Sequence, residues 1–273
     1  MKTANRLNEV QEYYFSAKRR EISALEKKGK KVLNLGIGSP DLLPPDQVIE
    51  QLKKGSGHPM ANQYQPYQGL LIFREAIAEF SKSQFNITLN PEDEILPLMG
   101  SKEGIAHISL AYLNKGDQVL IPEFGYPTYT SVTKMVEAEP IYYPLIESDD
   151  WCPNWKFFDN LDYSKIKLLY LNYPHMPTGA RGSKKILEKF VKIAKEHDLL
   201  LIHDNPYSFI LNDQPRSIFS VEGSRNCALE LNSLSKSFNM SGWRVGWLSG
   251  AAENIKNVLR IKSNFDSGMY QPI

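Results

Sequence analysis

Between Ser233 and Trp247 the chain reads SLSKSFNMSGWRVGW, which sets one lysine, Lys236, among the hydroxyls of Ser233 and Ser235 and the guanidinium of Arg244. A primary amine at the end of an apolar strand, with hydroxyls and a guanidinium close by, suits condensation with an aldehyde whose phosphate those groups hold. A bare SxSK is common in surface loops. The Gly-Trp-Arg-Val-Gly-Trp tail from Gly242 to Trp247 separates this string from an ordinary loop lysine.

Two further strings offer matching chemistry. GSKEGIAH, from Gly100 to His107, puts a glycine, a hydroxyl and an amine where a helix begins. The first N–H groups of a helix lack partners within it, and the dipole there favours an anion by ~0.3–1 kcal/mol, so a phosphate can rest on Ser101 and Lys102. Standing alone, the string also reads as a serine N-cap beside a surface lysine. HDNPYS, from His203 to Ser208, ends a very apolar run with Asp204 and adds Tyr207 three residues later. A buried carboxylate needs a cation or a donor, and a protonated pyridine nitrogen is one. Otherwise Asp204 caps the next turn. Tyr207 adds a hydroxyl donor beside it.

These residues have to be positioned by a scaffold, and the chain supplies an α/β pattern. Apolar strands are expected at residues 118–121, 141–143, 167–171, 199–203, 228–232 and 245–249. Amphipathic helices are expected at 69–81, 102–113, 183–197 and 252–262, an alternation that predicts a three-layer αβα architecture around a mostly parallel sheet. Ligands gather at the carboxyl ends of such strands, where Asn172, Asp204 and Lys236 fall. At 273 residues the chain is long enough for a large core, and 32 basic against 31 acidic side chains leave a net charge of +1. That balance argues against nucleic acid or an anionic membrane as partner, and no apolar run reaches the ~20 residues of a membrane span. Cys152 and Cys227 lack metal spacing and fit thiols in a reducing cytoplasm. The five histidines hold no HExxH pair, no GxSxG elbow is present, and no metal is expected.

The order and spacing of these motifs, from about Leu33 onward, resemble the class I and II aminotransferases, which bind pyridoxal phosphate on the aspartate aminotransferase fold. Within that group, GSKEGIAH and HDNPYS look most similar to the LL-diaminopimelate aminotransferase-like branch. The resemblance implies transamination between an amino acid and a 2-oxo acid through a Schiff base on Lys236, with Lys236, Asp204 and Tyr126 as the catalytic set. It implies that Ser101, Lys102, Ser233, Ser235 and Arg244 anchor the phosphate, while Tyr126, in EFGYP, stacks over the ring. Tyr64, in NQYQPYQGL, would reach the phosphate in a neighbouring subunit, making the protein a homodimer with shared sites. Gly38, in LGIGSPD, would present a backbone N–H to the substrate carboxylate. Fold and cofactor leave a β-lyase or decarboxylase reaction open as alternatives.

Two departures from the family pattern stand out. In LNYPHMPTGA, Met176 replaces an asparagine that donates to the cofactor's phenolic oxygen, and a thioether cannot donate. Tyr207 alone, His175 or Asn172 are the candidate substitutes. The family also continues into a C-terminal segment bearing an arginine for the α-carboxylate, whereas this sequence ends at SNFDSGMYQPI. The expectation is an N-terminal arm with part of a small domain over 1–45 and a large cofactor-binding domain over 46–273. The small domain's C-terminal segment would be missing, either in a fragment or in a natural truncation, and a catalytically idle cofactor-binding chain is the reading that follows from its loss.

Overall fold

Branched and aliphatic runs form the strands, as their β propensity dictates. The computed structural model describes residues 1–36 and 38–273. Among them lie β1 (Ile95–Leu98), β2 (Gln118–Pro122), β3 (Glu139–Tyr143), β4 (Leu145–Ile146), β5 (Cys152–Pro153), β6 (Ile166–Leu171), β7 (Leu200–Asp204), β8 (Ala228–Ser233) and β9 (Gly246–Gly250). The helices are α1 (Tyr14–Lys27), α2 (Asp46–Ser56), α3 (Leu71–Phe85), α4 (Ser101–Tyr112), α5 (Pro127–Met135), α6 (Trp155–Asp159), α7 (Lys184–Glu196) and α8 (Ala252–Lys262).

Seven strands make one sheet in the order β1-β9-β8-β7-β6-β2-β3, and β4 with β5 forms a small separate ribbon. Pairings from β8 through β7, β6 and β2 to β3 are parallel, whereas β9 runs antiparallel to both β8 and β1. Two reversals in succession leave β1 pointing the same way as β8. The carboxyl ends of β1, β6, β7 and β8 therefore share one rim with the start of β9.

Successive strand residues face opposite sides, and β6 divides accordingly. Leu169 and Leu171 join a cluster with Leu187, Phe190 and Val191 of α7. Leu168 and Tyr170 join another with Ile105 of α4, Tyr129 of α5 and Val258 of α8. Each large side chain buried there contributes roughly 1.5–3 kcal/mol, which is why helices cover both faces. The Ser183 hydroxyl fixes the start of α7 by accepting the Ile186 N–H at 3.3 Å.

The expected strands and helices all form, with boundaries moved by up to four residues. Several elements are additional, β1, α5 and α2 among them. Strand β1 carries Pro97, which its edge position tolerates because one side of the strand pairs with no other strand among the described residues. Helix α5 opens on Pro127 in its first turn, so the proline that marked a turn also starts a helix. Helix α2 follows Pro45. The N-terminal region differs in kind: none of the described residues between 1 and 43 is buried. Within α1, Phe15, Ile22 and Leu25 are half-buried, while Tyr14 is exposed. No helix among the described residues is long and apolar enough to cross a membrane.

Candidate active site

Strand register brings the phosphate-type residues together. Gly246 opposes Leu98 on one side and Ser233 on the other. Arg244, two residues before it, therefore lies between the start of α4 and the turn after β8. A Cβ on Gly246 would stand 2.8 Å from the Ser101 nitrogen and 2.7 Å from the Asn232 carbonyl oxygen, so only glycine fits that crossing. Arg244 takes φ 58°, a left-handed conformation that costs a residue with a Cβ about 1–2 kcal/mol. Its Nη1 donates to the Ser241 carbonyl at 2.9 Å and reaches Ser235 Oγ at 3.4 Å, and its Nη2 lies 3.5 Å from the Met99 carbonyl.

Gly100, the residue before α4, has φ 82°, and a Cβ there would fall 2.1 Å from Arg244 Nη2. The helix begins without a side-chain cap, which leaves its first N–H groups open beside the guanidinium and the Ser235 hydroxyl. This cradle has the donor set for a phosphate dianion. Ser233 lies inside the fold. Its hydroxyl donates to the Val245 carbonyl at 3.3 Å and accepts the Ser235 N–H at 3.1 Å, so in this arrangement it holds Ser235. Lys102 is exposed, and its ammonium sits 3.9 Å from the centre of the Tyr13 ring.

At the end of β7, Asp204 is 4% exposed. Its Oδ2 accepts the Tyr129 hydroxyl at 2.6 Å, and its Oδ1 is buried with no partner among the described residues. Burial pushes the carboxyl up to about 6 against the opposing pull of Tyr129 and His203. An orphaned buried carboxylate oxygen calls for a donor, and a pyridine N–H is one that fits. Tyr207 makes no side-chain hydrogen bond among the described residues, and burial, with Asp204 and Tyr126 nearby, pushes its hydroxyl up to about 12. Lys236 is half-buried. Desolvation, and then Arg244, lower its ammonium from the usual range, toward the free amine that a nucleophile requires. Its Nζ donates to the Gly38 carbonyl at 2.9 Å, so the Gly38 contact here is made by the oxygen of that residue.

Tyr126, directly before α5, accepts the Tyr13 hydroxyl at 3.4 Å. Tyr64 is 90% exposed and stands apart from these groups. Asn172 is fully engaged: its amide donates to the Asp204 carbonyl at 2.7 Å and its oxygen accepts the Met176 N–H at 2.8 Å. His175 bonds Thr178 at 2.8 Å through Nδ1, while its Nε2 is buried without a partner among the described residues. Of the three candidates to replace the donor lost at Met176, Tyr207 is the one with a free hydroxyl.

Sequence reasoning missed two contributors. Tyr129, buried and stacked on Tyr170 at 4.6 Å, orients Asp204, and the signal for it was a second tyrosine one helical turn beyond Tyr126. Glu103, in the first turn of α4, accepts the Met99 N–H on one oxygen and takes His107 Nε2 at 2.9 Å and Lys262 Nζ at 3.2 Å on the other. Lys262 is 2% exposed and also pairs with Asp266. Burial raises the Glu103 carboxyl, but His107, Lys262 and the Met99 N–H outweigh it and bring it down to about 2. The network braces the cradle from behind.

A family model described as "Aminotransferase class I and II" matches residues 30–271. The LL-diaminopimelate aminotransferase of Halothermothrix orenii is 37% identical over 275 residues, covering 100% of this chain and 71% of that protein. The enzyme of the same name from Natranaerobius thermophilus is 39% identical over 279 residues with the same coverage. Among solved structures, apo-BacF from Bacillus subtilis superposes with a TM-score of 0.94 at 34% identity, over 100% of this chain and 70% of that one. Aspartate aminotransferase from Thermus thermophilus, at 24% identity and a TM-score of 0.92, shares the fold over 100% and 70% of the two chains.

Proposed function

On the premise that the chain belongs to the class I and II aminotransferases, we propose that it moves an amino group between an amino acid and a 2-oxo acid with pyridoxal phosphate as cofactor. Pyridoxal phosphate, when bound, supplies an aldehyde that receives the amino group and a ring that disperses the charge left by the lost α-proton. The observation that carries the reading is the convergence, on one rim of the sheet, of three groups. They are the Lys236 amine, the unpartnered Asp204 Oδ1, and the cradle formed by Gly100, Ser101, Ser235 and Arg244.

Each residue has a distinct task. Lys236 would hold the aldehyde carbon, and its free amine would carry the proton of the substrate's α-carbon as base and then acid. Asp204, as the carboxylate, would accept the ring nitrogen's N–H on Oδ1 while Oδ2 accepts the Tyr129 hydroxyl. Tyr207 would donate to the phenolic oxygen, Tyr126 would cover the ring, and Arg244, with Ser101, Lys102 and Ser235, would hold the phosphate. Gly38 lines the entry for the substrate carboxylate. Tyr64, exposed on this chain, serves the site of a second copy, so the working unit is a homodimer. Residues 46–273 form the cofactor-binding unit and 1–45 an arm beside it. The half-buried thiols of Cys152 and Cys227 fit a cytoplasmic protein.

Relatives at 36–39% identity carry the name LL-diaminopimelate aminotransferase, which puts that amino acid first among substrates to try. Borohydride reduction of the chain with pyridoxal phosphate, followed by peptide mass mapping, should label Lys236. On a separate, unreduced sample, single-turnover absorbance with LL-diaminopimelate should show conversion to the pyridoxamine form. A label on another lysine would overturn the site, and ammonia with pyruvate from a cysteine conjugate would overturn the reaction class.

A further inference from the structure

Phe73, Ile77 and Phe80 recur at the helical period along α3 and turn one apolar stripe toward the sheet. Near the end of that stripe the Phe80 ring meets Phe209 at 5.5 Å, Phe238 at 6.0 Å and Trp247 at 5.9 Å, centroid to centroid, with interplanar angles of 65°, 65° and 84°. Edge-to-face contact is the arrangement that the ring quadrupole favours, so each pair fixes an orientation as well as filling space. Every partner belongs to a different piece of the site. Phe209 is two residues past Tyr207, in a turn closed by the Ile210 N–H donating to the Tyr207 carbonyl at 3.0 Å. Phe238 is two residues past Lys236 and precedes Asn239, which is left-handed at φ 55°. Trp247, 4% exposed, follows Gly246 of the phosphate cradle. We infer that Phe80 is a positioning residue: from a helix that contributes none of the groups assigned to the site, its ring locks the Tyr207 turn to the Lys236 turn and both to β9.

Polar contacts leave that task undone. The Tyr207 turn is tied away from Lys236: the Asn205 amide and the Ser208 hydroxyl donate to the Arg216 carbonyl at 2.9 and 3.4 Å, and the Leu211 carbonyl accepts Arg181 Nη2 at 2.7 Å. The Lys236 turn is tied to its own strands, through the Ser235 N–H on Ser233 Oγ at 3.1 Å and the Leu234 N–H on the Val245 carbonyl at 3.0 Å. Among the described residues no hydrogen bond joins 206–212 to 234–241. Phe209 and Phe238 lie 6.5 Å apart, and Phe80 closes the triangle by packing on both. The separation of the Tyr207 hydroxyl from the Lys236 amine is therefore set by apolar rings. Alternation along β9 puts Gly246 toward the start of α4 and Trp247 toward α3, so Phe80 stands behind the cradle and acts through its neighbours. A leucine at position 80 fills much of the space but offers no ring edge, which frees both turns at once.

Hydrogen exchange on the 273-residue chain without cofactor tests the coupling, because exchange rates read the opening of each segment. In Phe80→Leu, peptides spanning 205–212 and 234–241 should both exchange about 2–10-fold faster, while peptides of β6 and α7 keep their rates. Phe190→Leu, a core change in the cluster on the α7 side of the sheet, should loosen α7 and leave both turns as they were. A Phe80→Leu chain in which either turn keeps its rate, or in which all segments loosen alike, would overturn the inference. Should that variant not fold, Phe209→Leu takes its place: the 234–241 peptide should speed up although the substitution lies in the other turn, and an unmoved rate there overturns the coupling. The consequence for the cofactor rests on the proposed function. By equilibrium dialysis, pyridoxal phosphate should bind Phe80→Leu about 2–10-fold more weakly than the parent, and Phe190→Leu as the parent does. Equal losses in the two variants would reduce Phe80 to general packing and refute its positioning role. A parent chain that takes no pyridoxal phosphate would instead sink the aminotransferase reading, with the exchange rates still deciding the coupling.

Discussion

Replacing Gly100 by alanine probes the cradle at its narrowest point. The backbone there holds φ 82° and ψ 152°, a region reserved for glycine, so a side chain costs of the order of 1–3 kcal/mol. The new Cβ would lie 2.1 Å from Arg244 Nη2 and 2.8 Å from its Cζ, which forces the guanidinium out. A charge-assisted hydrogen bond contributes about 1.5–3 kcal/mol, so losing one weakens pyridoxal phosphate binding by about 10–150-fold. Equilibrium dialysis against the cofactor reads the affinity, and a melting curve on the same sample reads the fold. Arg244→Lys removes the paired contact directly and should lose a similar amount. Because both changes remove one interaction, the double variant should be less than additive. A folded Gly100→Ala chain that binds as the parent does, or strict additivity, would refute the geometry.

Tyr129→Phe removes a bond that lowers the Asp204 carboxyl, so its midpoint should rise above about 6 and cofactor affinity measured from pH 5 to pH 9 should begin to fall at a higher pH. In the cofactor-free chain the same carboxyl is raised from 3.8 to about 6, so the native state binds the extra proton. Stability from this group is therefore present at low pH and lost as pH rises through that window, and urea midpoints of Asp204→Asn should lack that slope. Glu103→Gln leaves the buried Lys262 ammonium with Asp266 alone and should cost about 1–3 kcal/mol in urea denaturation. Because the Glu103 carboxyl is lowered to about 2, its contribution should hold above pH 4.5 and disappear only as pH falls through about 2.

Much of the site was legible because its residues close short apolar runs, and run and terminus are both local features. Lys236, Asp204 and Asn172 were placed at strand ends by that logic, and β6, β7 and β8 put them there. Helix α7 was equally plain, since its period and its Ser183 cap agree. What escaped depends on distant pairing. Strand β1 reads ILPL, too short and too broken by Pro97 to stand out until its edge position is known. The partnership of Tyr129 with Asp204 spans 75 positions, and that of Lys262 with Glu103 spans 159, so no local window contains either. The antiparallel sense of β9 was likewise invisible, although it is what carries Arg244 to the rim.

The polarity of the sheet also leaves room for change. Turns at 114–117, 197–199 and 223–227 precede β2, β7 and β8 and so occupy the rim opposite Lys236. Strand β6 is six residues long, which separates the two rims by about 20 Å. A fluorophore, an affinity tag or a surface tether grafted at Lys115 would hang from the far side of the molecule, leaving the entrance used by small molecules unobstructed.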